Sequence, residues 1–318
     1  MTASALSASS LSASTLLQDA NACHDDDPPR AAALLAQIDA SALPTDEHPL
    51  YAFLLNHVLG EKLGRWGQAH AALQALHTSR APAVLRQAAV AAQLAGESAA
   101  AAACTQALAL ACGGTPSTAA ELVSLACATF STPAQNAAAA GQTVLAALQP
   151  LHAPAWQSTT PFDAAAAAQC NNLAAALSER ALPDYAEPVL CGAMLLAAER
   201  SQFLWQRAGS WVQRERAHHG RAVALNTVKL SAAAAEQAEA GLALLDANDR
   251  GNEESVDRAF LQLERAQALA AQGLASEAAH AQAQAQGLAA AFNDAGLSRW
   301  FAQRQARLEA LLRPSANP

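Results

Sequence analysis

Alanine limits what this chain can fold into more than any other residue, because it fills 89 of the 318 positions. Alanine and leucine are the strongest helix formers. Valine and isoleucine together number only eleven, whereas a β-sheet needs branched or aromatic side chains to pack on its pleated surface. The composition therefore predicts an all-α protein.

Glycine and proline interrupt the helical stretches at short intervals, for example at Pro44, Gly64, Pro82, Gly96 and Pro133. Within the stretches, apolar side chains recur three or four positions apart, which is typical of a helix buried along one face. Helices joined by such short turns pack antiparallel against their neighbours. We therefore expect a series of antiparallel helix hairpins.

Small residues recur twelve positions apart on either side of these interruptions. Four such pairs are Ala20 with Ala32, Ala89 with Ala101, Ala126 with Ala138, and Ala266 with Ala278. Small side chains let two helices approach closely while larger ones fill the gaps opposite. This order resembles the tetratricopeptide repeat, a helix-turn-helix unit of about 34 residues, and the resemblance covers most of residues 13–294.

The resemblance implies a right-handed α-solenoid of antiparallel helix hairpins. On this basis we assign an N-terminal array to residues 13–155 and a C-terminal array with longer helices to residues 162–294. Residues 1–12 form a Ser/Ala leader that we expect to be disordered, since it has little to bury. Residues 297–312 are assigned to a C-terminal capping helix, with Trp300 among its apolar side chains on one side and its arginines elsewhere.

The charge balance excludes several classes of partner. The net charge is −8 and the chain has only two lysines, Lys62 and Lys229, so it is a poor ligand for polyanionic nucleic acid. No run approaches the roughly 18–20 apolar residues of a membrane span, and the N-terminus does not have the pattern of a secretory signal. We expect no membrane partner and a cytoplasmic location. The oligomeric state stays open.

Candidate catalytic and metal-binding residues are few. The run Cys23–Asp27 contains a thiol, an imidazole and three carboxylates, yet adjacent residues on a turn rarely converge on one ion, and acidic residues favour the start of the next helix. His218 and His219 are consecutive, so on a helix their side chains point about 100° apart. No catalytic motif accompanies them. We expect no metal, no cofactor and no enzyme.

The strongest local charge is positive. Arginines stand at four positions from Arg207 to Arg221, with Glu215 as the single acidic residue among them. Arginine binds carboxylates through two parallel hydrogen bonds, although a solvated helix face has the same composition. On the concave face that the resemblance implies, the predicted peptide-binding groove comprises Tyr51, Leu55, Arg86, Gln87, Asn172, Gln206, Arg207, Gln213 and Arg214.

The first functional hypothesis is a non-enzymatic scaffold that binds a protein or peptide, such as one with an acidic segment, along this concave face. Such a scaffold could act as a chaperone, an assembly factor or a secretion accessory. The alternative is a helical regulatory or sensor domain that binds a small ligand between helices near Trp205 and Arg207. An enzyme with an unrecognised helical site is the third hypothesis. An open groove favours the first, and a closed apolar cavity with converging polar groups favours the second.

Overall fold

The structure, a computed structural model, describes residues 11–312. This part of the chain is all-α, about 80% helical and free of strands. The leader predicted for residues 1–12 falls mostly on residues 1–10, outside the described part. Ser12 already belongs to the folded chain, because its side chain accepts a hydrogen bond from the Thr15 amide and caps the first helix.

The described chain divides into two compact units, one that ends at Ser131 and one that begins at Thr132. The sequence predicted the boundary between the two arrays at 155–162, whereas the two units meet at 131–132. The N-terminal unit contains α1 (Ala13–Cys23), α2 (Pro28–Leu35), α3 (His48–Leu54), α4 (Trp66–Leu73), α5 (Pro82–Leu94), α6 (Ser98–Cys112) and α7 (Pro116–Ser131). The C-terminal unit contains α8 (Ala137–Leu148), α9 (Asp163–Ser178), α10 (Pro188–Ala208), α11 (Trp211–Thr227), α12 (Ser231–Asn248), α13 (Ser255–Ala271), α14 (Ala275–Ala289) and α15 (Ala295–Leu312).

Consecutive helices pack mostly as antiparallel pairs, such as α1 with α2, α5 with α6, and α13 with α14. Alanines from three of the four predicted twelve-residue pairs lie in such helix pairs, whereas Ala126 and Ala138 fall in different units and Ala138 is only partly buried. Ala89 on α5 and Ala101 on α6 are buried, and Ala266 and Ala278 belong to one core cluster between α13 and α14. The close packing of small residues in consecutive helix pairs is therefore observed.

A π-helical segment, Leu55–Lys62, follows α3 in the N-terminal unit. Its Leu55 and Val58 are buried in the unit's core beside Leu54 and Leu17. Two residues after the segment ends, Gly64 has a φ of +68°, in the left-handed region that favours glycine. On its other side, His57 and Lys62 contact Asp25 in the turn after α1.

The C-terminal unit has the longer helices, and α10 alone spans 21 residues. Its last helix, α15, lies where the sequence predicts a terminal helix over 297–312. It packs Phe301, Leu308 and Leu311 into a cluster with residues of α13, and it also contacts α11. Among the described helices, none combines the length and apolar character needed to cross a lipid bilayer.

Candidate functional site

A cleft in the C-terminal unit has a volume of about 690 Å³ and opens between α9, α11, α13 and α15. We call it the α11–α15 cleft. Its polar and aromatic lining includes Asn171, Arg216, His219, Asp257, Phe260, Trp300, Gln303, Arg304 and Arg307.

Helical periodicity explains why these side chains converge. On α15 the lining residues are Trp300, Gln303, Arg304 and Arg307, which are spaced i, i+3, i+4 and i+7 along the chain. Residues with this spacing share one face of an α-helix. On α11 the same spacing places Arg216, His219, Gly220 and Val223 on the cleft. The capping box of Ser210 and Gln213 fixes where α11 begins.

A buried ion pair forms the floor of the cleft. Arg304 donates from Nε and Nη2 to the two carboxylate oxygens of Glu264, at 2.6 and 2.9 Å. Asn226 donates to the same carboxylate at 2.8 Å. Burial acts to raise the pKa of Glu264, but Arg304 and Asn226 outweigh it and hold that pKa below its usual range. Glu264 is therefore an anion whose charge is already neutralised.

A second group of charges lies at one side of the cleft. Arg216 donates to Asp257 at 2.7 Å and to Glu254 at 3.0 Å. Glu215 lies behind them, fully buried, and neither of its oxygens has a hydrogen-bond partner in the described chain. Burial, together with the nearby Asp257 carboxylate, raises the pKa of Glu215 to about 9. Glu215 is therefore a neutral carboxylic acid at neutral pH.

Two polar atoms beside the cleft are buried and lack a hydrogen-bond partner within residues 11–312. They are Nε of Arg307 and Nε2 of His219. The Nη2 atom of Arg307 donates to the Arg180 carbonyl and to the Tyr185 hydroxyl, both at 2.6 Å, so its guanidinium is held in place. Burial lowers the pKa of His219, which favours the neutral imidazole.

An aromatic wall completes the cleft. The rings of Phe260 and Trp300 lie 4.4 Å apart between centroids, and Phe260 also contacts Phe301 edge to face. Trp300 is 49% exposed although it rests on this buried cluster. Chemically, the cleft presents a fixed guanidinium and a neutral imidazole beside an open indole face.

No protein-family model and no curated protein matches this chain. The assignment of the site therefore rests on its geometry.

The predicted groove residues of the N-terminal unit lie mostly inside it. Tyr51 and Leu55 are buried in the core, at 4% and 1% exposure, so they offer no surface to a peptide. Gln87 is also buried, and its side-chain oxygen accepts from Asn56 at 2.6 Å. Arg86 is partly buried, and burial lowers its pKa. The helices are rotated about their axes relative to the prediction. The predicted concave face has these side chains on the surface, whereas packing places them toward the core.

In the C-terminal unit, the predicted residues are divided among different roles. Asn172 is exposed on α9, and its neighbour Asn171 lines the α11–α15 cleft instead. Gln213 serves as part of the capping box at the start of α11. Gln206 and Arg214 come together in a separate groove of about 450 Å³ that also includes Gln202.

Arg207 is held inside the protein. It donates to the buried carboxylate of Asp163 at 2.9 Å and to the Trp156 carbonyl at 3.0 Å, and its guanidinium lies 4.7 Å from the Phe203 ring centroid. This arginine therefore fixes the loop before α9.

One surface was not predicted from the sequence, namely that formed by Trp300, Arg304 and Arg307, because the arginines of the last helix were expected away from its apolar side. The i, i+4, i+7 spacing of these three residues was the available signal. Two apolar faces are interleaved on α15: Phe301 and Leu308 enter the core, whereas Trp300 lies over the cleft.

Proposed function

We propose that this is a non-enzymatic binding protein whose α11–α15 cleft takes an acidic segment of a partner protein or peptide. On this proposal the paired helices are degenerate tetratricopeptide-like repeats of a right-handed solenoid. The burial of alanine pairs between consecutive helices supports that reading. A role as a chaperone, an assembly factor or a secretion accessory is consistent with such a scaffold.

The observation that carries the proposal is the unpartnered Nε of Arg307 beside the cleft. A buried donor without a partner costs about 1–3 kcal/mol. A ligand carboxylate in the cleft that accepts from this nitrogen, after a small shift of the side chains that cover it, removes the cost and gains a charge-assisted hydrogen bond. The Nη2 contacts of Arg307 hold the guanidinium in one orientation, so little side-chain entropy is lost on binding.

The exposed face of Trp300 supports a peptide rather than a lone anion. A large aromatic side chain that is half exposed offers apolar contact area of the kind that anchors protein interfaces. It lines the same cleft as Arg307, two helical turns away on the same face of α15. A segment with an acidic residue and an apolar residue a few positions apart would use both.

The hydrogen bond of the Ser178 hydroxyl supports a binding function rather than catalysis by a serine nucleophile. This hydroxyl is the serine oxygen in the cleft lining, and it donates to the Ala175 carbonyl at 2.8 Å. A serine nucleophile needs a base within hydrogen-bond reach, and the bond of Ser178 is instead spent on its own helix.

A second function has one observation in its favour. The cleft volume lies within the roughly 300–1,000 Å³ of small-molecule sites, and several polar groups converge there. A small carboxylate bound between the helices would make the protein a sensor or regulatory domain.

Fluorescence anisotropy with the full chain tests the proposal. The probes are fluorescein-labelled peptides with a Glu-Glu-Leu-Glu core and matched peptides with Gln for Glu. We expect the acidic probe to bind more tightly, and Trp300→Ala and Arg307→Met each to weaken it about tenfold. Arg214→Met, in the separate groove, is the matched control and should leave binding unchanged. Equal affinity for both probes, or no effect of either cleft variant, would reject the proposal. Full displacement of the peptide by millimolar glutarate would favour the small-ligand function.

A further inference from the structure

We infer that His24, Asp25 and His57, in the N-terminal unit, form a binding site for a divalent transition-metal ion, with zinc as the representative. The sequence places His57 32 positions after Asp25, so only the fold brings the second imidazole to the turn after α1. One ligand atom from each residue lies within 4.8 Å of the others. This site is independent of the α11–α15 cleft.

The distances suit a small metal ion. Asp25 Oδ1 lies 3.1 Å from His57 Nε2, and Asp25 Oδ2 lies 3.2 Å from His24 Nε2. Ligands about 2.0–2.1 Å from a tetrahedral zinc ion are about 3.3–3.4 Å from one another. The pairs are therefore already spaced as neighbouring ligands, and small side-chain rotations suffice to admit the ion. Two imidazoles favour zinc, copper or nickel over calcium or magnesium.

The second nitrogen of each imidazole is engaged in the way that metal-binding histidines require. His57 Nδ1 lies 2.7 Å from the Glu61 carboxylate, and His24 Nδ1 is hydrogen-bonded to the Asn21 carbonyl. A carbonyl or carboxylate can only accept, so each Nδ1 carries a hydrogen. By the same rule His57 Nε2 donates to Asp25 while no metal is bound, and metal binding would release that proton and free the nitrogen lone pair. Such outer contacts orient metal-bound histidines and raise their basicity.

The backbone and a neighbouring ring hold His57 in this position. It lies on the π-helical segment Leu55–Lys62, and π-helical turns are rare and often occur at functional sites. The Phe53 ring stacks on the imidazole with 5.4 Å between centroids and an interplanar angle of 11°. His57 is thus fixed before any ion binds, which lowers the entropy cost of binding.

The Lys62 ammonium would compete with a metal ion for the Asp25 carboxylate. This ammonium lies 3.0 Å from the same Asp25 oxygen that faces His57. The Asp25 carboxylate is 62% exposed and is accessible to an ion from solvent. A bound metal ion would take the place of the Lys62 ammonium at this oxygen, so removal of Lys62 should strengthen metal binding.

Isothermal titration calorimetry of the tag-free full chain with ZnCl₂, in phosphine-reduced buffer, tests the site. We expect one zinc ion per chain, with affinity lowered at least 30-fold by His57→Ala and by Asp25→Asn. Glu61→Gln should weaken binding about tenfold through the outer contact. Lys62→Met should strengthen it several-fold. His280→Ala removes an exposed histidine of α14 and is the matched control that should match wild type.

Cobalt absorption separates this site from thiolate binding, because the chain has six free cysteines. Co²⁺ at His24, Asp25 and His57 should give visible ligand-field bands without a thiolate charge-transfer band. Zinc should also raise the melting temperature of wild type but not of Asp25→Asn, since a ligand that binds the folded state stabilises it. The inference is overturned if wild type binds zinc no more tightly than His24→Ala/His57→Ala, or if the cobalt spectrum shows thiolate ligation.

Discussion

Arg304 donates two hydrogen bonds to the carboxylate of Glu264, a side chain with no solvent exposure, and the two residues lie 40 positions apart in the chain. The pair joins α15 to α13 and forms the floor of the α11–α15 cleft. Removal of this ion pair should therefore show how much it contributes to the attachment of α15 to α13.

Arg304→Met should lower the free energy of unfolding by about 3–5 kcal/mol, because it leaves the Glu264 carboxylate buried without its cation. The double variant Glu264→Met/Arg304→Met should lose less than Arg304→Met alone, since no charge remains unpaired. Asn226 keeps its 3.0 Å bond to the Glu264 carbonyl in both. Urea denaturation of wild type, Arg304→Met, Glu264→Met and the double variant measures the difference. A double variant less stable than Arg304→Met would contradict the expectation.

Glu215 should make stability fall as the pH rises. Its pKa in the folded protein is about 9, against an ordinary value of 4.5. Between these values the unfolded chain releases the proton and the folded chain keeps it, so each pH unit costs up to about 1.4 kcal/mol. Relative to Glu215→Gln, the free energy of unfolding of wild type should fall by about 3 kcal/mol between pH 5 and pH 7.5. Urea titrations at several pH values measure this, with the exposed-site variant Glu236→Gln as control. A pH-independent difference between wild type and Glu215→Gln would show that Glu215 is ionised in the folded state.

Arg207 and Arg214 should differ sharply in their effect on stability. Arg207→Met leaves the Asp163 carboxylate, which is 1% exposed, without its guanidinium and should cost about 3 kcal/mol. Arg214→Met should change stability by less than about 0.5 kcal/mol, because the exposed Arg214 donates only a 3.3 Å bond to the Ser210 carbonyl among the described contacts. Thermal unfolding of the two variants is a direct comparison, and equal melting temperatures would refute the assigned roles.

Gly141 and Gly192 provide a matched pair for the contact between α8 and α10. A Cβ atom at Gly141 would lie 2.7–2.8 Å from backbone atoms of Val189 and Leu190, which cannot easily move aside. Gly141→Ala should therefore cost about 1–3 kcal/mol through overpacking. A Cβ atom at Gly192 meets nothing within 4 Å, so Gly192→Ala should stabilise α10 by about 0.5–1 kcal/mol. Urea midpoints should move in opposite directions, and a shift of the same sign for both would disprove the close approach.

The sequence predicted the helical class and many helix ends because those properties are local. Alanine content disfavours sheets, Pro82 begins α5, and Gly96, with a φ of +82°, follows the end of that helix. The twelve-residue alanine spacing also predicted where consecutive helices approach, as the buried Ala89 and Ala101 show. Each of these features depends on residues close together in the chain.

The rotation of each helix about its axis was decided only by tertiary packing. In an alanine-rich helix the buried and exposed faces have nearly the same side chains, so composition could not place Tyr51 inside or Trp300 at a cleft. The contact of Arg307 with Arg180 spans 127 positions, and no local pattern encodes such a partner. Local propensity and small-residue spacing therefore determined that helices form and pair, whereas the few large and charged side chains, through packing and desolvation in three dimensions, decided which faces meet and which groups are left for a ligand.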